Sequence, residues 1–262
     1  MNNKSNNRTV VIDIGNTSVH IATWYADEIK TPISTPTVDT ARVEEALLAH
    51  YDAIPRAAAP ATVICSVVPT VLESISRIVS DRFDRAPLVI GGAIPLPMDV
   101  AVDDRSELGV DRVCAAFAAY DKLKTACTVI DFGTAVTVDL IDDQGVFVGG
   151  AIIPGLHMQL RALAEQTAAL PANVDPAFPQ RPYGRNTVEA MQTGVCRGLV
   201  GAVRALVEGY ASRLGNWPTV IATGGDLPLM GPHCDFLDKQ VSHLTLRGVG
   251  RTYTAFLEAR GL

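Results

Sequence analysis

Two rhythms of apolar residues alternate along this chain. Short unbroken runs rich in Val and Ile predict strands buried on both faces, and stretches with apolar residues every three or four positions predict helices. In order, the first half predicts strands at Thr9–Ile12, Val19–Trp24 and Ile29–Ser34, then a helix at Val43–Tyr51. A break follows at Pro55–Pro60, then a strand at Thr62–Val67 and a helix opened by Pro69 with Val71, Leu72, Ile75, Ile78 and Val79 on one face. A strand at Leu88–Ile90, a polar loop from Pro95 to Gly109 and a helix at Val110–Leu123 complete that half. The second half predicts a hairpin arm at Thr128–Leu140, a turn at Asp142–Gly145, a strand at Val146–Ile153 and a helix at Leu156–Gln166. After a Pro-rich excursion (Pro171–Pro182) comes a long helix, Thr187–Leu214, striped by Val188, Met191, Val195, Leu199, Val203, Leu206 and Tyr210. Strands at Thr219–Ala222 and Val241–Leu246 and a helix at Val249–Ala259 end the chain.

The halves share a signature. VVIDIGNTSVHIATW in the first is echoed by VIDFGTAVTVDLID in the second: an apolar strand delivers an Asp, a Gly follows two residues later, then a Thr, and a β-rich run resumes. Asp13 and Asp131 lie 118 residues apart, close to half of the 262-residue chain, as an internal duplication would place them. The expectation is an α/β protein of two lobes, residues 9–124 and 125–262, which face one another.

The repeated turn has a chemistry. Gly15 and Gly133 allow close backbone approach, Thr134 and Thr137 offer hydroxyls beside backbone N–H groups suited to phosphate oxygens, and Asp131 suits a cation. Gly224–Gly225 forms a third such turn after a buried strand, at the strand ends where α/β proteins bind ligands. A fourth element, Gly109-Val110-Asp111-Arg112, opens a helix whose N-terminus favours an ionised Asp111, with Arg112 able to clamp an anionic substrate. Paired carboxylates also suit glycoside hydrolysis. Sugar clefts need aromatic platforms, and this chain is 6% aromatic.

Composition narrows the field. Charged residues make up 19% of the chain and the net charge is −6, with the cations scattered, which speaks against nucleic acid. The opening MNNKSNNR has no apolar core and no apolar run nears a membrane span, so no membrane association and a cytoplasmic location are expected. The five cysteines (Cys65, Cys114, Cys127, Cys196, Cys234) show no paired spacing and read as buried thiols. The glycines at 194, 198, 201 and 209 weaken the long helix, which suggests close packing on another helix, and its apolar stripe, longer than one lobe should need to bury, is expected to form much of a homodimer interface.

At this point the chain resembles the type III pantothenate kinases, of the superfamily that unites acetate and sugar kinases, heat-shock chaperones and actin. The resemblance runs from Val10 to about Thr252 and rests on DIGNTSV (Asp13–Val19), SVVP (Ser66–Pro69), GVDR (Gly109–Arg112), DFGTAVTVD (Asp131–Asp139), GGAIIPG (Gly149–Gly155), NTVEAMQTG (Asn186–Gly194) and TGG (Thr223–Gly225). It implies duplicated actin-like, ribonuclease H-like lobes, each a mixed five-stranded sheet with flanking helices, with the active site in the cleft. It also implies phosphorylation of pantothenate by ATP with Mg²⁺, the first step toward coenzyme A, in a homodimer needing K⁺ or NH4⁺. By that resemblance Asp13, Ile14, Gly15, Asn16, Thr17, Ser18, Val19 and His20 bind ATP phosphates and Thr134 touches ATP. Val102, Gly109, Val110, Asp111, Arg112 and Thr187 contact pantothenate, Asp111 is the proton acceptor and Asp131 holds the monovalent cation. One departure stands out: where the family often carries Tyr-x-Asn-Pro, this chain has Val102, Asp103, Asp104 and Arg105. A non-catalytic regulatory relative and a superfamily kinase of another small hydroxylated substrate stay open as alternatives.

Overall fold

The computed structural model describes residues 8–54 and 60–262. The loose opening segment through residue 7 and the break expected over residues 55–59 lie outside the described residues. Two compact units result: residues up to Lys122 together with His243–Leu262, and Leu123–Ser242.

The first unit contains β1 (Thr9–Ile14), β2 (Ser18–Tyr25), β3 (Glu28–Pro36), α1 (Thr40–Asp52), β4 (Thr62–Ser66), α2 (Pro69–Phe83), β5 (Leu88–Val89) and α3 (Val110–Leu123). Its sheet runs β3-β2-β1-β4-β5, a meander of three antiparallel strands extended by two parallel ones. Because alternate side chains leave opposite faces, Val10, Ile12 and Ile14 pack toward α1 and α2, while Val11 faces a cluster that includes Cys65 and Cys114. Both faces are covered, which is why β1 reads as a continuous apolar run.

The second unit contains β6 (Cys127–Phe132), β7 (Ala135–Ile141), β8 (Phe147–Pro154), α4 (Leu156–Glu165), α5 (Thr187–Leu214), β9 (Thr219–Thr223), α6 (Leu227–Met230) and β10 (Lys239–Gln240). Its sheet order, β8-β7-β6-β9-β10, repeats that of the first. Asp13 and Asp131 hold the same place, the fifth residue of a six-residue strand with an identical burial pattern. Helix α5 starts on Asn186, whose side chain accepts from Glu189 N at 2.9 Å, and stops at Gly215 in the left-handed region with φ 78°.

Three expectations differ from the structure. No strand forms over Val241–Leu246: the two-residue β10 lies just before that stretch, and α7 (Leu244–Glu258) begins within it. Helix α7 also belongs to the first unit and not to the lobe that precedes it in sequence. Leu246 and Val249 bury with Val11 and Trp24, Trp24 Nε1 donates to Thr254 Oγ1 at 3.0 Å, and Arg251 Nε donates to Asp121 at 2.7 Å. The apolar face of the helix is thus satisfied on the first sheet. Finally, the stripe of α5 packs on its own sheet: Met191, Val195, Leu199 and Val203 bury with Ile130, Phe132, Val136 and Val138, and Tyr210 donates to Val138 O at 3.0 Å. Its glycines at 194, 198, 201 and 209 sit on open space instead of a neighbouring helix. All five cysteines are buried, and no helix is long and apolar enough to cross a membrane among the described residues.

Candidate functional site

In the first unit the β1–β2 hairpin is closed by Gly15 N donating to Ser18 O at 3.0 Å. Thr37 clamps it from below: its Oγ1 donates to Gly15 O at 2.8 Å and its N–H to Thr17 O at 2.9 Å. Asn16 and Thr17 are exposed at the tip, whereas Ile14 and Val19 are fully buried, so only their backbone groups are available to a ligand. Thr37 was invisible in the sequence, because a Thr after a Pro carries no motif. Thr37→Val is expected to destabilise the protein by roughly 1–3 kcal/mol, the cost of leaving a carbonyl without its donor, and to raise KM for ATP before kcat changes. Thermal melts and nucleotide saturation curves check it.

Asp13 stands opposite His20 on β2 and Cys65 on β4, so these three side chains share one face of the sheet. The Cys65 thiol hydrogen-bonds Cys114 on α3, and that contact, burial and the charges of Asp13 and Asp111 push it well up. Asp111 lies one turn before Cys114 on α3, and Cys114 packs with Cys65, the sheet neighbour of Asp13, so α3 meets the first sheet on the face that carries Asp13. His20 is held below the usual imidazole range by burial and then by His243, so it is neutral at pH 7.

Asp111 sits in the first turn of α3, where its Oδ1 accepts from Arg112 N at 2.8 Å. A Cβ at position 109 would stand 2.6 Å from that oxygen, so glycine is what lets the carboxylate fold over the turn. The sequence expectation of a carboxylate favoured as the ion is corrected here. Burial raises its pKa, outweighing the Arg112 amide and guanidinium, which pull it down. Val110 packs into the core and Val102 is half-buried. The unusual loop after Val102 is internally braced: Asp104 accepts from Ser106 N at 2.8 Å and Arg105 donates to Val100 O at 3.2 Å.

In the second unit Asp131 is flanked by Thr137 on β7 and Thr223 on β9, at the same level and on the same face. Its Oδ1 lies toward Gly133, 3.3 Å from where a Cβ would be. The Gly133–Thr134 turn is gripped from one side by Gly155, whose N–H donates to Thr134 O at 3.1 Å and whose position admits no side chain. From the other side Gly224, at φ +108°, lies flat on Phe132, and Asp226 N donates to Phe132 O at 2.9 Å. Thr134 is exposed on this turn, and Thr187 is exposed as the first residue of α5. The duplicated hairpins thus differ in their neighbours: imidazole and thiol beside Asp13, hydroxyls beside Asp131. Asp226, at the end of the third glycine turn, went unnoticed in the sequence.

Two repeats of a mixed five-stranded sheet, each with an Asp-x-Gly turn at the end of its central strand, define the fold of actin-like ATPases and sugar kinases. A protein of Campylobacter jejuni described as a conserved Baf family transcriptional activator superposes with a TM-score of 0.62 at 18% identity, covering 97% of this chain and 100% of that one. One of Sinorhizobium meliloti described as a 2-dehydro-3-deoxygalactonokinase does so at 0.60 and 14%, covering 96% and 99%. At such identities the likeness speaks for fold alone. In sequence, the family model for type III pantothenate kinase matches residues 9–209. A type III pantothenate kinase of Moorella thermoacetica is 32% identical over 249 residues, 93% of this chain and 98% of its own length. The chain belongs to the type III pantothenate kinase family.

Proposed function

We propose that this protein transfers the γ-phosphoryl group of ATP to the hydroxyl of pantothenate, giving 4′-phosphopantothenate in the cytoplasm. The observation that supports this reading beyond family membership is the packing of Cys114, one turn after Asp111 on α3, with Cys65, the sheet neighbour of Asp13, which brings the helix that carries the proton acceptor onto the sheet that carries the phosphate-type hairpin. In a loose phosphoryl-transfer transition state the acceptor hydroxyl needs orientation first and loses its proton late, a task for Asp111. Its raised pKa makes it a better proton acceptor than an exposed carboxylate. Arg112 suits the carboxylate of pantothenate, with Gly109 and Thr187 as further contacts. Backbone N–H groups from Gly15 to Ser18, and Thr134, suit the ATP phosphates. When bound, Mg²⁺ carried with ATP neutralises charge on those phosphates.

The oxygen set around Asp131, one carboxylate and two Thr hydroxyls, fits a hard cation such as K⁺ and can equally accept from NH4⁺. The thiol and imidazole beside Asp13 are poorer donors for it. Asp131→Ala is expected to abolish stimulation of turnover by potassium. Rates measured with and without K⁺ at fixed ionic strength decide the point; a variant that still responds places the cation elsewhere.

A homodimer is part of this proposal, with the exposed glycine face of α5 as its contact. Gly194, Gly198 and Gly201 weaken the helix by roughly 1 kcal/mol each against Ala, and a Cβ at any of them would meet no neighbouring element among the described residues, a cost that close approach of a second copy would offset. The activity itself is tested by incubating the purified protein with ATP, Mg²⁺, K⁺ and a panel of pantothenate, sugars and short hydroxy acids. Phosphopantothenate is expected. Transfer to another member of the panel, or to none, overturns the reading.

A further inference from the structure

The Pro-rich stretch from Pro171 to Arg185 forms neither helix nor strand, and side chains of α5 tie it down. Gln192 Nε2 donates to Asp175 O at 2.9 Å, Cys196 Sγ to Ala177 O at 3.3 Å, and Arg197 Nη2 to Pro179 O at 3.1 Å and to Arg181 O at 3.3 Å. Every second carbonyl from 175 to 181 thus meets a donor from the helix, in place of the ladder bonds that a strand would have. The ties lead to one exposed residue. Beyond Arg181, Pro182 fixes its own φ, a Cβ at Gly184 would run into Ala190 N, and Arg185 N donates to Glu189 Oε2 at 2.9 Å. Between these fixed points Tyr183 is 62% exposed, and its phenol makes no hydrogen bond among the described residues. The ring therefore stands in water on a turn held at both ends, against the first turn of α5, the turn that carries Thr187.

A ring fixed in that way is suited to binding, because only its two side-chain torsions remain to be ordered. The brace points the same way. Arg197 is half-buried, its Nε is buried without an acceptor, and apart from the Phe178 ring at 5.0 Å and the two carbonyls it has no partner among the described residues, least of all a carboxylate. A cation desolvated on those terms is a poor device for stability, and the carbonyls it secures are the ties nearest Tyr183. We infer that Tyr183 is a further substrate-contacting residue, its ring packing on the acceptor bound at Thr187, and that Arg197 is the positioning residue that holds it there. In pantothenate the part that fits an aromatic face is the pair of methyl groups beside the hydroxymethyl group that receives the phosphoryl group, the one branched apolar feature of a polar chain. The inference rests on the reading of Thr187 as a pantothenate contact.

The test is steady-state kinetics. Tyr183→Ala is expected to raise KM for pantothenate about tenfold or more, the worth of an aromatic face on two methyl groups, with kcat and KM for ATP unchanged within about twofold. Tyr183→Phe retains the ring and is expected to retain the wild-type KM. Arg197→Met is expected to raise the same KM, and the double variant to be no worse than Tyr183→Ala alone, because a brace has nothing to act through once the ring is gone. A purely structural Arg197 would instead add its effect to that of Tyr183→Ala. An unchanged KM in Tyr183→Ala, a Tyr183→Phe as impaired as Tyr183→Ala, or additive effects in the double variant overturns the inference. Should Arg197→Met not fold, Arg197→Lys, which keeps the charge but not the planar fork, carries the same cycle. Pantothenate turnover indifferent to Tyr183→Ala rejects the role of Tyr183 alone. Transfer to another acceptor of the panel and not to pantothenate, with the KM of that acceptor raised by Tyr183→Ala, rejects the proposed acceptor alone.

Discussion

Asp111→Asn is expected to lower kcat by roughly 10²–10⁴-fold, the range typical of removing a general base, while ATP and pantothenate still bind. The same variant is expected to melt at a higher temperature than the wild type at pH 7. The sign follows from the raised pKa of the folded-state carboxylate. A group of that kind contributes its stability fully below the ordinary carboxylate pKa, and that contribution is lost as pH rises through the raised value. Above the raised value the wild type carries a partly desolvated anion, and the neutral amide does not. The gain should shrink as pH falls through the raised value and be gone only below the ordinary carboxylate pKa of about 3.9, where Asp111 is protonated folded and unfolded alike. Steady-state kinetics together with melts over about pH 3 to 8 test both halves. Near-normal turnover would remove Asp111 from the chemistry, and a lower melting temperature at pH 7 would mean that its hydrogen bond to Arg112 N outweighs desolvation.

Adjacent charges on α5 should have opposite consequences. Leu199 is 2% exposed and packed against the second sheet, so Leu199→Glu buries a carboxylate without a partner. A cost on the order of 4 kcal/mol or more is expected, a large share of a domain's stability, with loss of soluble folded protein. Gly198 is exposed on the other face, with nothing near its Cα to meet a side chain. Gly198→Glu should leave the monomer folded and disrupt the proposed dimer, with activity falling in step. Circular dichroism and sedimentation of the two variants separate these effects. A folded Gly198→Glu dimer would move the interface to another surface, and a folded Leu199→Glu protein would contradict the packing of α5.

The duplicated hairpins were legible because their information is local. An apolar run that must be buried, an Asp at its end and a Gly that admits a turn are each set by residues within a few positions of one another. The helix α3 was legible to the residue, since Gly109 and the apolar periodicity after it bound the element at both ends. The stripe of α5 was equally legible as a buried face, yet periodicity carries no label for what buries it. It suggested a second copy, and the structure supplies the chain's own sheet.

By itself the sequence determined the repeated strand–turn–strand units, most of the helices, and the residue types that phosphate and cation chemistry demand, because propensity, periodicity and turn chemistry act over short range. The tertiary structure decided everything that depends on which distant residues meet. It carried α7 back to the first sheet through Trp24 and Asp121, and set Thr37 under Gly15. It flanked Asp131 with two hydroxyls but Asp13 with a thiol and an imidazole. The pKa of Asp111 shows the division most plainly. Its place at a helix start argued for a low value, and burial, a property of the assembled unit alone, raised it.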